Sequence, residues 1–222
     1  MGTCFSKEES KREQIEELKK ENVTLRQELK KLHNEFGGEN YVLKDDFAEI
    51  KKMTAQVTLP AMPKNSSIKT IVGKRVRFIG DVDDVTEEWP GVLGEQEFHT
   101  GRHYWEVEVG EKQSWRIGVS SKPVAHGEAN REMLGESYWM LQLQDEQLSA
   151  RSAEGEINLQ NEKPWKIGVH LDIDKKNISF YNTETKTQIH SFSLTGQRTI
   201  GFGFYPYLSP GSKDRDLLAI LT

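Results

Sequence analysis

The residues with the plainest chemical meaning stand at the extreme N terminus, where Met1 is followed by Gly2, Thr3, Cys4, Phe5 and Ser6. Glycine in second place with a hydroxyl residue at the sixth is the pattern read for N-myristoylation once the initiator methionine is removed. One myristoyl chain binds a bilayer only marginally, so stable anchoring needs a second signal. Cys4, the only cysteine in the 222 residues, lies two positions beyond the glycine and would take a palmitoyl thioester. Two acyl groups predict a cytoplasmic chain held at the inner face of the plasma membrane or at another cytosolic membrane surface. Lys7, Lys11 and Arg12 would add attraction to anionic headgroups, diluted by Glu8, Glu9 and Glu13. No apolar core of a secretory signal follows.

Little else in the chain has the spacing of a reactive centre. A single cysteine excludes an internal disulfide, a cysteine-rich zinc cage and a thiolate-held iron–sulfur cluster, and fits a reducing, intracellular setting. No metal site is read from His33, His99, His103, His126, His170 and His190. The acidic run Asp81, Asp83, Asp84, Glu87 and Glu88 lacks the glycine and closing glutamate of an EF-hand, so it reads as a solvated loop. Gly73-Lys74 lacks the upstream glycine of a phosphate-binding loop, with Ile68 in its place. No nucleophile, base and orienting group can be assembled, so no enzyme activity and no cofactor are expected. With 30 Lys plus Arg against 35 Asp plus Glu, the net charge of −5 argues against a nucleic-acid partner. There is no run of 18 apolar residues from which a spanning helix could be built.

The elements that must position these residues fall into two periodicities. Residues 1–14 read as a flexible, acylated terminus. From Lys7 to Glu35 there are 16 charged residues, eight of each sign, and the apolar residues repeat by sevens. Ile15, Asn22, Leu29 and Phe36 fall at one position of the heptad, and Leu18, Leu25 and Leu32 fall three residues later. That spacing predicts a parallel coiled coil over residues 15–36, with dimer contacts from Ile15, Leu18, Asn22, Leu25, Leu29 and Leu32. Glu21 and Glu28 would face Arg26 and His33 of a partner chain, and a buried Asn22 would fix the register. Gly37-Gly38 ends the helix, and residues 37–56 read as a hinge with a short helix that carries Leu43, Phe47 and Ile50 on one face.

After residue 56 the period changes to two. Trp105, Val107 and Val109 alternate with Tyr104, Glu106 and Glu108, as a half-buried strand requires. Similar runs lie at Arg75–Phe78, Trp115–Val119, Tyr138–Leu143, Lys166–Leu171, Asn177–Tyr181, Ile200–Phe204 and Leu217–Leu221. Many short strands with turn residues and no intervening helices predict a mainly β, antiparallel two-sheet sandwich over residues 57–222. Trp105, Trp115, Trp139, Phe180 and Phe202 read as core, while Trp89 and Trp165, beside prolines, would close its ends.

Within that region Trp89-Pro90-Gly91-Val92-Leu93-Gly94, Phe98-His99-Thr100-Gly101-Arg102-His103-Tyr104-Trp105-Glu106-Val107, Trp115-Arg116-Ile117-Gly118-Val119 and Tyr138-Trp139 stand in order. Together with Leu171-Asp172 and Ile178-Ser179-Phe180-Tyr181-Asn182, they resemble the PRY-SPRY domain of tripartite-motif and butyrophilin proteins. The resemblance implies a concanavalin-like sandwich that binds a protein or peptide in a groove between its two parts. Matched by motif, that groove would be lined by Asp81, Asp84, Gln142, Gln144, Tyr207, Leu208 and Ser212. Where the family has Asp-Pro after Val-Thr-Leu, this chain has Pro60-Ala61, and where the family has a glycine near Lys176, Asn177 is expected to take a positive φ. The zinc-binding RING and B-box of tripartite-motif ligases are not expected with one cysteine. The whole reads as a dimeric, membrane-tethered interaction adaptor, with a role in immune or signalling regulation implied by the resemblance. A rival reading, a sensor of phosphorylated metabolites as in butyrophilins, would need Lys74, Arg75, Arg77, His99, Arg102 and His103 to converge.

Overall fold

The computed structural model describes residues 14–21, 23–25, 28, 44–80, 89–121, 138–160, 163–194 and 203–221. The chain divides into two compact units, Met1–Asn40 and Tyr41–Thr222. In the first unit every described residue is helical. Ile15, Leu18 and Leu25 of the expected seam are 51%, 60% and 52% exposed in the single chain. Gly2, Cys4, Asn22, Leu29 and Leu32 lie outside the described residues, as do Asp81 and Asp84. No helix of the described residues is long and apolar enough to cross a membrane.

The second unit opens with α1 (Lys44–Lys51) and continues as strands. These are β1 (Ile68–Ile71), β2 (Arg75–Phe78), β3 (Val92–Leu93), β4 (Arg102–Glu108), β5 (Trp115–Ser120), β6 (Tyr138–Gln144) and β7 (Gln147–Ser152), followed by β8 (Gly155–Asn158), β9 (Lys166–Asp172), β10 (Asn177–Asn182), β11 (Thr187–Ser193), β12 (Tyr205–Ser209) and β13 (Leu218–Ile220). They form a seven-stranded sheet in the order β1-β2-β13-β4-β9-β10-β11 and a six-stranded sheet in the order β3-β12-β5-β6-β7-β8. All these strand pairings are antiparallel. The core lies between the sheets. Trp105 and Val107, Ile167 to Leu171, and Ile178 and Phe180 come from one side, and Trp115 to Val119, Trp139 to Leu143, and Leu208 come from the other, each at alternate positions.

Two local expectations are corrected, and one expected strand falls partly outside the described residues. Of the run at Ile200–Phe204 only Gly203 and Phe204 are described. Phe204 makes an isolated bridge to Phe98 and β12 begins at Tyr205, while Ile200 and Phe202 lie outside the described residues. The left-handed residue before β10 is Lys176, with φ of 53°, and not Asn177, because Asn177 already pairs with Asp172 in the ladder. Trp165 does not close an end of the sandwich, being 45% exposed, whereas Trp89 is buried. At the departure Val57-Thr58-Leu59-Pro60-Ala61, the Pro60 and Ala61 carbonyls accept from Thr70 Oγ1 at 2.6 and 3.1 Å, and Leu59 N–H donates to the Gly73 carbonyl at 2.6 Å.

The outer face of the seven-stranded sheet is covered at its centre, which is why Tyr104 is wholly buried rather than half-exposed. Phe47 of α1 packs edge-on against Tyr104 and Tyr181, at centroid distances of 6.2 and 5.7 Å. Lys51 pairs with Glu106 at 2.8 Å, and Glu106 also accepts from the Tyr104 hydroxyl at 2.8 Å. Residues 53–55 continue the sheet beside β4: Tyr104 N–H donates to Met53 O at 3.0 Å and Ala55 N–H donates to Tyr104 O at 2.8 Å. Gly168 makes room for this arrangement, since a Cβ there would stand 2.5 Å from the Tyr104 hydroxyl. The short helix expected within residues 37–56 is thus packed onto the sandwich from Phe47 onward, while residues 37–43 lie outside the described residues.

At the far corner of the same sheet, Val72 and Gly73 form the β1–β2 turn with φ of 51° and 64°. A left-handed conformation suits glycine or asparagine, and on a β-branched residue it costs about 1–2 kcal/mol.

His170 faces outward from β9, opposite Tyr104 and Ser179, and its Nε2 has no hydrogen-bond partner. Burial holds its pKa below the ordinary imidazole value, against the pull of Asp172, and burial shifts His190 the same way. The unfolded chain takes up these protons near pH ~6.5 while the fold resists, so the unfolded state binds more protons below that pH. Stability should therefore fall as pH drops from 7 to 5. Denaturant titrations of a His170→Gln, His190→Gln double variant should show a flatter pH dependence over that window.

Candidate ligand-binding face

The outer face of the six-stranded sheet follows from strand register. Leu93, Tyr207, Gly118, Met140, Arg151 and Glu156 stand in one row across β3, β12, β5, β6, β7 and β8. The next row runs Ser209, Arg116, Gln142, Ser149 and Asn158. The apolar members Tyr138, Met140 and Tyr207 form a cluster of their own with Leu93, separate from the core. Gly91 permits it, because a Cβ there would come within 2.2 Å of the Tyr207 hydroxyl.

Beside that cluster a chain of polar contacts fixes the centre of the face. Arg116 Nε donates to Gln142 Oε1 at 2.6 Å, and its guanidinium lies 3.9 Å from the centroid of the Trp89 ring. Gln142 Nε2 donates to Gln144 Oε1 at 3.2 Å and to Glu156 Oε1 at 3.4 Å. Glu156 also accepts from Ser149 Oγ at 2.6 Å and from Arg151 Nη1 at 3.2 Å. Arg116, Gln142 and Ser149 are buried, whereas Gln144, Arg151 and Glu156 reach solvent. The face therefore has a locked floor and a polar rim: Gln144 and Glu156 are oriented by floor groups, and Arg151 by Glu156.

The loop between β12 and β13 flanks the face and is held from below. Lys112, fully buried after β4, makes an ion pair with Asp214 and donates to the Asp216 carbonyl at 3.0 Å. Asp214 further accepts the Gln113 and Asp216 N–H groups at 2.9 and 3.1 Å. Burial pushes the Lys112 pKa down, and Asp214 pulls it back up. Ser209 Oγ donates to the Pro90 carbonyl at 2.8 Å, tying the start of the loop to the segment before β3.

Of the residues matched to the groove, Gln142, Gln144 and Tyr207 share this outer face, and Ser212, nearly buried, sits in the flanking loop. Leu208 does not join them. Strand parity turns it inward, where it is wholly buried in the core. Sequence reasoning missed Arg116, Met140, Ser149, Arg151, Glu156 and the Lys112–Asp214 pair. The alternation Tyr138, Met140, Gln142, Gln144 carried the signal for Met140, but the contacts with β7 and β8 had none.

The basic residues of the rival reading do not converge. Arg75 is level with Glu108 through Ala219, whereas Arg102 stands six residues away at the other end of β4, about 20 Å along the strand. His103 is engaged with the Thr100 carbonyl at 2.8 Å and stacks on Phe98, and His99 lies 3.4 Å from Glu97. No group of three or more His, Cys, Asp or Glu that could hold a metal occurs among the described residues.

Two stacked antiparallel sheets around one core define a β-sandwich. The chain belongs to the SPRY domain family, which matches residues 102–216, more than half of the 222. It is 38% identical over 120 residues to nuclear factor 7, ovary, of Xenopus laevis, an alignment covering 54% of this chain and 19% of that protein. It is 37% identical over 108 residues to E3 ubiquitin-protein ligase TRIM58 of Mus musculus, covering 48% and 22%. It is 33% identical over 126 residues to butyrophilin subfamily 1 member A1 of Mus musculus, covering 52% and 22%. The chain thus spans about a fifth of the length of these curated relatives. Among solved structures it resembles the TRIM65 PSpry domain, with a TM-score of 0.66 and 19% identity over 82% of this chain and 98% of that one. Stonustoxin shares the fold with a TM-score of 0.60 and 20% identity, over 78% of this chain and 30% of that one.

Removing one partner of a buried ion pair leaves the other charge stranded, a loss of about 3–5 kcal/mol. Lys112→Met should therefore lower stability by that order in urea titrations, and Gln113 and Asp216 amide exchange should accelerate as the loop loosens.

Proposed function

We propose that the chain is a membrane-tethered, dimeric adaptor whose SPRY domain holds a protein or peptide ligand, in immune or signalling regulation, and that it acts by binding rather than by catalysis. The observation that carries the ligand part is the preorganised face. Gln142 is fixed between Arg116 and Glu156, and Gln144, Arg151 and Glu156 present hydrogen-bonding groups at its rim. Groups ordered before binding lose less conformational freedom when a ligand arrives.

The tether rests on Gly2, Ser6 and Cys4 and on the two-signal requirement for stable anchoring. It would hold the chain at the cytosolic face of the plasma membrane or of another membrane. Self-pairing rests on the heptads and on the exposure of Ile15, Leu18 and Leu25, which a second helix in parallel register would cover while bringing acidic and basic flanks together. Two SPRY domains on one membrane would raise apparent affinity for clustered ligands through effective concentration.

Each part has its own readout on the full chain. Gly2→Ala should release the protein from the membrane fraction, and Leu18→Lys with Leu25→Lys should halve its sedimentation mass. A Gln144→Arg, Arg151→Glu variant should lose captured protein partners while its melting temperature stays within a few degrees of the parent. An unchanged partner set in that rim variant would remove the face from the reading.

A further inference from the structure

Seven large apolar side chains of the second unit are exposed among its described residues: Met62, Val72, Ile79, Ile157, Trp165, Leu217 and Leu221. All but Ile157 and Trp165 lie on or beside the β1–β2–β13 end of the seven-stranded sheet. That end is also basic. Lys69 and Arg77 are direct cross-strand partners, Arg75 shares their face, and all three are exposed while Ile68 and Val76 fill the core. Like charges set opposite one another repel. None of the three makes an ion pair among the described residues. Across the sheet from Arg75 stands Ala219, and the carboxylate of Glu108 comes only one strand further on.

Val72 projects from the turn that joins these two strands. It is 93% exposed and has a φ of 51°, so the valine is held there against both hydration and backbone strain, where asparagine or glycine would meet neither. Leu221 flanks the same end of the sheet, since Ile220 N–H donates to the Lys74 carbonyl.

We propose that this end of the sheet is a membrane-contact surface, with Lys69, Arg75 and Arg77 against anionic phospholipid headgroups and Val72 entering the boundary between headgroups and acyl chains. The choice of a bilayer rests on the membrane-tethering reading of the N terminus and on the mixture of side chains. Cations alone would suit an acidic peptide. Cations bordered by protruding aliphatic groups suit a surface with anions outside and hydrocarbon beneath. With a net charge of −5 on the chain, the attraction is local and orients the domain rather than drawing in the whole molecule.

The full chain, prepared without acylation, is tested by cosedimentation with vesicles of phosphatidylcholine alone and of phosphatidylcholine with phosphatidylserine. Partition should occur only with the phosphatidylserine vesicles and weaken with salt. Lys69→Gln, Arg75→Gln and Arg77→Gln together should reduce it roughly a hundredfold. Val72→Asn should raise the melting temperature by relieving the turn and yet weaken partition, a pair of opposite signs that a purely structural role does not produce. No partition by the parent chain, or partition unaltered in both variants, overturns the proposal. So does binding to polyglutamate that the triple variant loses and Val72→Asn keeps in full, with no vesicle binding, which assigns the face to an acidic peptide. Lys7, Lys11 and Arg12 are common to the parent and both variants, so the loss of partition on substitution reads this face, and the Gly2→Ala fractionation reads the anchor.

Discussion

The sandwich depends on filling the space between its sheets with three indoles. Trp105 of β4, Trp115 of β5 and Trp139 of β6 are the largest of the fully buried side chains, and they set how closely the two layers approach. Trp105 and Trp115 leave their ring N–H groups without partners. An unmet buried donor costs about 1–3 kcal/mol. Burying an indole of about 200 Å² returns about 5 kcal/mol at 25 cal/mol per Å², so apolar burial outweighs the lost hydrogen bond. Packing, and not polar pairing, therefore holds the centre. Because side chains alternate along a strand, placing Trp115, Ile117 and Val119 inward leaves Arg116, Gly118 and Ser120 no choice but the outer face.

The second consequence concerns what covers the outer faces. Each sheet carries a further cluster there: Phe47, Tyr104 and Tyr181 on one, and Tyr138, Met140 and Tyr207 on the other. β5 and β6 are therefore buried on both sides along nearly their whole length. On the seven-stranded sheet α1 supplies the cover, and its docking draws the backbone of residues 53–55 into line beside β4. The β1–β2 end of that sheet has no such helix over it among the described residues, so its cations and aliphatic side chains meet solvent.

How much of this was legible depended on whether a strand kept a pattern of its own. The Arg75–Phe78 run was read to the residue, and the β4, β9 and β10 runs to within two residues of their observed ends, because each carries large apolar residues at alternate positions. β8 was invisible for the opposite reason: Gly155, Glu156, Ile157 and Asn158 are all exposed, so no burial shapes their order. In β7 the only apolar residues that face the core are Leu148 and Ala150, and a pattern of one leucine and one alanine is too weak to read. β11 loses its alternation to a register shift opposite Phe180 and Tyr181. β12 was displaced because Pro206 argues against a central strand. The Pro206 carbonyl points to the Gly94 N–H on the β3 side, where its own missing N–H would also point, so no ladder bond to β5 is lost. The candidate face was legible only as resemblance. Gln142 is oriented by Arg116 and Glu156, 26 and 14 residues away, and no local spacing records such contacts.

The two units are folded for different reasons. The SPRY domain buries most of its large apolar residues within one chain, which fixes its locked face and its pinned loop. The described helix in the first unit buries none of Ile15, Leu18, Val23 or Leu25, and its order rests on intrahelical contacts such as Lys19 to Glu16 at 2.7 Å. Exposed i,i+3 pairs of that kind contribute only about 0.2–0.5 kcal/mol each, too little to hold a short helix against the entropy of the coil. The apolar positions at Ile15, Leu18 and Leu25 therefore add no burial to that helix in the single chain.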